Sequence, residues 1–322
     1  MNRHNLKNTI AFLILPLILL VIPGMTKDPY LFHILIMVGI NVILCASLRL
    51  VIMTGVWNLG QIAFYAIGAY VVSLLMVYYG LSFWLVLPLA GIAAAVVALG
   101  FGYLAMRVKG MYFVMLSLAF VEMIRLTIIN VPFLSRYHVL NVPPPNPIIF
   151  PGLLRVEFIS KVPYYYLILA LVIIILAVLY RIERSRMGEI FKSIAAHEPL
   201  CQSIGINTTK YTVLAFVICS FFAGIAGGFY APYLTLIAPR SFNMLASVMI
   251  FVPLIVGGVG SFWGPVIGAT LLTVLPEILR GAVIYEPMIF AVILLLIVFF
   301  LPGGLTSLPG VIRSRMAKSE SR

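Results

Sequence analysis

Glu122 and Arg125 stand one helical turn apart near the middle of an apolar run, and Glu277 and Arg280 repeat that spacing near the end of a later one. Acids at membrane depth carry protons or ions, while an acid and a base on one helical face can neutralise each other as structural glue; both uses of Glu122 and Arg125 stand open. The second Glu-x-x-Arg is a four-letter echo that hints at an internal repeat. A different chemistry is offered by Thr54-Gly55-Val56-Trp57-Asn58-Leu59-Gly60-Gln61, which sets two amides and two glycines inside another apolar run. Unsatisfied polar groups are costly there, so Asn58 and Gln61 either line a polar pathway or hydrogen-bond to neighbouring helices.

Covalent and metal chemistry find no such footing. The four histidines, His4, His33, His138 and His197, fall in separate segments, and the three cysteines, Cys45, Cys201 and Cys219, have neither paired nor metal-ligand spacing. The sequence therefore predicts no catalytic residue, no metal site, no disulfide framework and no cofactor. Gly257-Gly258-Val259-Gly260-Ser261-Phe262-Trp263-Gly264-Pro265 is rich in glycine, but a Walker loop needs a lysine followed by serine or threonine. No nucleotide site is expected.

The elements that carry these residues are apolar spans. Of 322 residues 63% are hydrophobic and only 9% charged, with a mean hydropathy of +1.16, whereas soluble domains carry about 25% charged residues. Ten apolar runs cover roughly 10–23, 30–48, 57–78, 83–105, 111–130, 163–180, 212–232, 244–259, 262–279 and 287–301. The first is short for a span of about 20 residues, yet Ile22-Pro23-Gly24-Met25 is a poor cleavage site for a signal peptide. It is retained as a span, while the pair between 244 and 279 is the hardest to delimit. The fold class expected is an all-α polytopic membrane protein of about ten transmembrane helices.

An even number of spans puts both termini on one side. Most of the 21 lysines and arginines then fall on that side, Arg49, Arg107, Lys192 and Lys210 among them, against Lys27, Arg136, Arg155, Lys161, Arg240 and Arg280 opposite. By the positive-inside rule the N-terminus and the C-terminus are cytoplasmic. The net charge of +12 reports that orientation and contact with anionic membrane lipid rather than nucleic acid.

Two polar segments interrupt the spans. Residues 181–211 hold apolar side chains at helical spacing, Ile190, Phe191 and Ile194, then Leu200, Cys201 and Ile204 after a break at His197-Glu198-Pro199. Pro199 suits the first turn of a helix and Gly205 the end of one. Two short amphipathic helices beneath the bundle are predicted, able to hold a cytoplasmic partner. A loop that merely joins two spans is the alternative. Residues 131–162, with Pro143-Pro144-Pro145-Asn146-Pro147 at their centre, form the expected stiff external loop, a receptor for an external binding protein or a spacer. Within the run from 212, Ser220, Gly224 and Gly228 recur every four residues, as close helix packing requires.

Gly188-Glu189-Ile190-Phe191-Lys192-Ser193-Ile194 through Gly205-Ile206-Asn207 resembles the cytoplasmic coupling segment of permease subunits of branched-chain amino acid ABC importers. NLGQIAFYAIGAY from Asn58, RVKGMYFVMLSLAFVEMIR from Arg107, AFVICSFFAGIAGGFYA from Ala215 and GGVGSFWGPVIGATLLTVLPEILR from Gly257 resemble the same family in the same order. They cover most of 55–305, and the likeness is to the family's methionine-lettered permease type. Ala63 replaces the usual serine after Gly-Gln, Leu200 and Cys201 replace alanines, and the first half of the coupling segment is poorer in arginine.

The resemblance implies one transmembrane permease domain over 1–322, with a coupling loop at 181–211, in the cytoplasmic (inner) membrane of a prokaryote. It implies a second homologous permease subunit, two cytoplasmic ATP-binding subunits and an external solute-binding protein as partners. Gly188, Phe191, Ile194, Glu198 and Gly205 would meet the ATPase. Asn58, Gln61, Glu122 and Arg125 are the pathway candidates. Branched-chain amino acids are the implied cargo, with urea, amides or other amino acids as alternatives within the family. Outside it, an ion-coupled secondary transporter would have to work through Glu122.

Overall fold

The structure, a computed structural model, describes residues 28–108, 110–131, 140–146, 148–150, 154–156, 158, 160–279, 286–300 and 304–307. The apolar run at 10–23, and with it the choice between span and signal peptide, lies outside them, as do His4, His138 and Arg280.

Eleven α-helices follow in order among the described residues: α1 Pro29–Ile52, α2 Gln61–Tyr79, α3 Phe83–Ala105, α4 Met111–Asn130, α5 Lys161–Glu183, α6 Arg186–Ala196, α7 Glu198–Ser203, α8 Thr208–Leu234, α9 Met244–Gly257, α10 Gly264–Leu279 and α11 Glu286–Phe300. Among the described residues seven stretches are long and apolar enough to cross a membrane: α1 to α5, α8, and α9 together with the 3-10 turn Pro239–Ser241 that leads into it. The apolar helix α10 is shorter, at 16 residues. Local chemistry sets several ends. Asp28 accepts from Tyr30 N at 3.0 Å and Pro29 opens α1, while Asn207 and Asn243 cap α8 and α9 through their side-chain oxygens.

The longest helix, α8, is the axis of the bundle. It packs on α2 and α3 and more lightly on α1; α1 in turn packs on α5 and α10, and α9 folds back on α10. An aromatic cluster fills the centre: Phe216 meets Phe64 edge-on at 5.3 Å between centroids, and Phe120 stacks on Phe101 at 3.9 Å. Helices α6 and α7 stand at the end of the bundle where α5 stops and α8 starts.

The opposite end carries strand structure that the apolar pattern did not foresee. Strand β1 (Leu140–Asn141) pairs antiparallel with β4 (Leu236–Ile237), and β2 (Ile148–Phe150) with β3 (Leu154–Val156). The proline-rich stretch between β1 and β2 is tied to the start of α3, where Asn146 Oδ1 accepts from Phe83 N at 3.2 Å and Asn146 O accepts from Trp84 Nε1 at 3.3 Å. The expected proline-rich loop is therefore tied to the bundle at Asn146.

Candidate permeation and coupling sites

Residues 53–60 are not helical, so α2 begins at Gln61 rather than at residue 57. Gly55 takes φ +83 in this break, a left-handed turn that side chains with a Cβ disfavour. Irregular backbone within a membrane needs protein partners, and here it has them. Leu59 N donates to Ser117 Oγ of α4 at 3.2 Å and Gly60 N to Asn58 Oδ1 at 2.8 Å. Gln61 Nε2 donates to Ser47 Oγ of α1 at 3.1 Å, and its Oε1 accepts from Cys219 Sγ of α8 at 2.9 Å. Both amides are buried, and Asn58 Nδ2 alone of their groups has no partner among the described residues. An orphan of that kind costs about 1–3 kcal/mol.

Two cavities lie on either side of the break in sequence. One, of about 510 Å³, lies toward α6 and α7 and is lined by Gly55, Trp57, Arg107, Glu198 and Gln202, among others. The other, of about 610 Å³, is an open cavity lined by α1, α2, α8, α9 and α10, with Asn41, Ile62, Tyr65 and Tyr230 in its wall. Asn58 to Gln61 stand in sequence between Trp57, which lines the first, and Ile62, which lines the second.

Glu122 and Arg125 form a pair on α4: Arg125 Nε lies 3.0 and 2.9 Å from the two carboxylate oxygens, and Nη2 also contacts Oε1. Both are partly exposed on the outward side of α4. The structure thus places the four pathway candidates in two separate locations, the amides inside the bundle and the ion pair on its flank.

At the α6–α7 end, α6 folds back tightly on the end of α5. A Cβ at Gly188 would lie 2.1 Å from Glu183 O, so only glycine fits that approach. Phe191 and Ile194 are buried against the bundle. His197 Nδ1 then accepts from Leu200 N at 3.2 Å and opens α7, with Pro199 in its first turn. Glu198 Oε1 accepts from Gln202 Nε2 and Thr208 Oγ1, each at 3.2 Å, clasping α7 to the start of α8. Gly205, at φ +85, makes the turn between them, and nothing lies within 4 Å of where its Cβ would be. The apolar face foreseen for α7 is divided: Cys201 is buried, but Leu200 and Ile204 are 60% and 69% exposed.

A buried ion pair that sequence reading missed joins this end together. Arg49, near the end of α1, grips Glu183, the last residue of α5, with both terminal guanidinium nitrogens, Nη2 at 3.0 Å, and its Nε donates to Val259 O at 2.8 Å. Lys192 of α6 reaches Glu183 from the solvent side at 3.3 Å. One arginine therefore holds α1, α5 and the α9–α10 connection, and its partner carboxylate holds α6. An arginine amid CASLRLVIM was the available signal, since a charge flanked by apolar residues must find a partner.

The small-residue face of α8 is packed without slack. A Cβ on Gly224 would come within 2.6 Å of Ala94 Cβ and 2.7 Å of Ala90 O on α3. Gly228 faces Val72, Ala90 and Leu87. Ser220 is buried, with no hydrogen-bond partner among the described residues. No group of three or more potential metal ligands occurs among the described residues. His33 is engaged with Tyr233, its Nδ1 2.6 Å from the phenol oxygen.

Comparison with known proteins supports one family throughout. Residues 30–301 match the family described as branched-chain amino acid transport system / permease component. The chain is 30% identical over 289 residues to the high-affinity branched-chain amino acid transport system permease protein LivM of Salmonella typhimurium, covering 84% of this chain and 68% of that one. Its likeness to LivM of Escherichia coli is similar, 30% over 293 residues, or 85% and 67%. LivH of Salmonella typhimurium is 30% identical over a shorter stretch of 139 residues, 42% of this chain and 44% of that one. No solved structure gives a significant match. The chain belongs to the branched-chain amino acid transport system permease family.

Proposed function

We propose that this permease moves branched-chain amino acids across the cytoplasmic membrane of a prokaryote, as one of two homologous permease subunits driven by two cytoplasmic ATP-binding subunits and fed by an external solute-binding protein. Ten spans with both termini cytoplasmic make up the single transmembrane domain. The observation that carries this is the α6–α7 pair at the end of an apolar bundle, with Phe191 and Ile194 sunk into the bundle and Leu200 and Ile204 turned away from it. Exposed apolar side chains on a polar segment are the marks of a docking surface.

In this account, closure of the ATPase pair pushes on α6 and α7, and Gly188 and Gly205 give the segment its tight joints. Glu198 locks α7 to α8, so displacement of the segment is passed to the central helix; Arg49 and Glu183 pass it to α1 and α5. Asn58 and Gln61 hold the break between the two cavities where access alternates. Glu122 and Arg125 line the flank that meets the sister permease, a neutral pair that presents polar atoms without net charge. The test is co-purification: Leu200→Asp with Ile204→Asp retains the sister permease and loses the ATP-binding subunits. Full recovery of the ATPase with this variant would place the docking surface elsewhere.

A further inference from the structure

The cavity of about 610 Å³ holds polar groups that the fold leaves unused. Tyr65 is 5% exposed, and neither its hydroxyl nor that of Tyr230 has a hydrogen-bond partner among the described residues, although both residues line the space. Their rings lie 5.2 Å apart, which brings two phenols to one wall. On α1, Asn41 Nδ2 donates to Thr273 Oγ1 of α10 at 2.9 Å; that bond orients the amide and leaves Oδ1 as an acceptor. Hydroxyls that face an open cavity rather than a neighbouring side chain are free to bond what enters it.

We infer that this cavity is a subsite for the transported amino acid within this chain, with a zwitterionic backbone end and an aliphatic end. The two phenols donate to the carboxylate, and Asn41 Oδ1 accepts from the ammonium group, which also faces aromatic rings. Leu44, Ile62, Ile250 and Leu272 supply the surface for a branched aliphatic tail. The volume is within the range of about 300–1,000 Å³ usual for small-molecule sites. Among the described residues no lysine, arginine, aspartate or glutamate lines it. A solute without net charge is thus accommodated, and held loosely enough to leave. A second cavity of similar size, about 600 Å³ between α1, α5 and α10, has a wall of aliphatic residues relieved only by Thr270 and Tyr165, which suits acyl chains. The contrast separates a solute site from a lipid groove.

This inference rests on the importer function proposed above. The test uses the complete complex in vesicles, with uptake of labelled leucine and ATP hydrolysis measured together. Tyr65→Phe combined with Tyr230→Phe removes two hydroxyls and keeps both rings. Leucine moved per ATP should fall at least about tenfold, the weight of one hydrogen bond to a charged group, while assembly and ATP hydrolysis stimulated by the binding protein stay within about twofold of native. A double variant that moves leucine as native does overturns the subsite alone. A native complex that moves no leucine overturns the importer function and the subsite with it. Independently of the tyrosines, Met249→Cys places a thiol in the cavity wall on the exposed side of α9. Leucine should slow its reaction with a maleimide at least about threefold, and lysine should not; equal rates with and without leucine also overturn the subsite.

Discussion

Arg49→Met tests the ion pair that joins α1, α5 and α6. The substitution preserves bulk and removes a guanidinium whose side chain is only 6% exposed, leaving Glu183, at 12%, facing Lys192 alone. Lys192 is 55% exposed, so its attraction is largely screened. Breaking a buried pair by removing one member costs about 3–5 kcal/mol, and the bond from Arg49 to Val259 O adds roughly 1 kcal/mol. A loss of about 4–6 kcal/mol is expected for Arg49→Met, against at most about 1 kcal/mol for Lys192→Met. Adding Glu183→Leu to Arg49→Met removes the stranded carboxylate and should recover about 2 kcal/mol or more, the signature of coupling in a double-mutant cycle. Reversible unfolding of the purified chain in mixed detergent micelles measures Arg49→Met, Glu183→Leu, their combination and Lys192→Met. Strict additivity of the two single changes, or an Arg49→Met loss no larger than that of Lys192→Met, would refute the buried-pair account.

Three further outcomes follow from the geometry. Gly205→Val forces a β-branched residue to φ +85, which should destabilise the segment by about 1–3 kcal/mol and lower leucine transported per ATP without dissociating the sister permease. Gly224→Val drives a Cβ against Ala94 and the Ala90 carbonyl; separation of α8 from α3 should cost about 1–3 kcal/mol or more in the same micelle titration, whereas Gly100→Ala, inside α3 where a Cβ meets nothing within 4 Å, should be neutral or stabilise by up to about 1 kcal/mol. For orientation, a cysteine introduced by Ile204→Cys should react with an impermeant maleimide only from the cytoplasmic side, and one introduced by Pro144→Cys only from the outside. Reaction of each from the opposite side would invert the membrane arrangement, and reaction of both from one side would refute it.

Helices of the bundle were legible because an apolar span announces itself by length and hydropathy, whatever it packs against. The glycine and serine repeat of α8 was equally legible, since four-residue spacing of small side chains has one geometric use. Other features depend on partners far away in the chain. Arg49 and Glu183 are 134 residues apart, and Leu140 pairs with Ile237, so no local pattern records either contact. The start of α2 was misplaced because Val56 and Trp57 are as apolar as the helix that follows, and hydropathy does not register a backbone turn at Gly55. Asn41, Tyr65 and Tyr230 looked like ordinary residues of three different spans. Only the packing of α1, α2 and α8 around one cavity brings them together.

Uptake of labelled leucine by vesicles containing the two permeases, the ATP-binding subunits and the solute-binding protein tests the central claim most directly. Accumulation that requires ATP and the binding protein, and disappears when Leu200 and Ile204 are both changed to Asp, is the result this account predicts. Leucine accumulation that proceeds without ATP, driven by an ion gradient and abolished by Glu122→Gln, would contradict it.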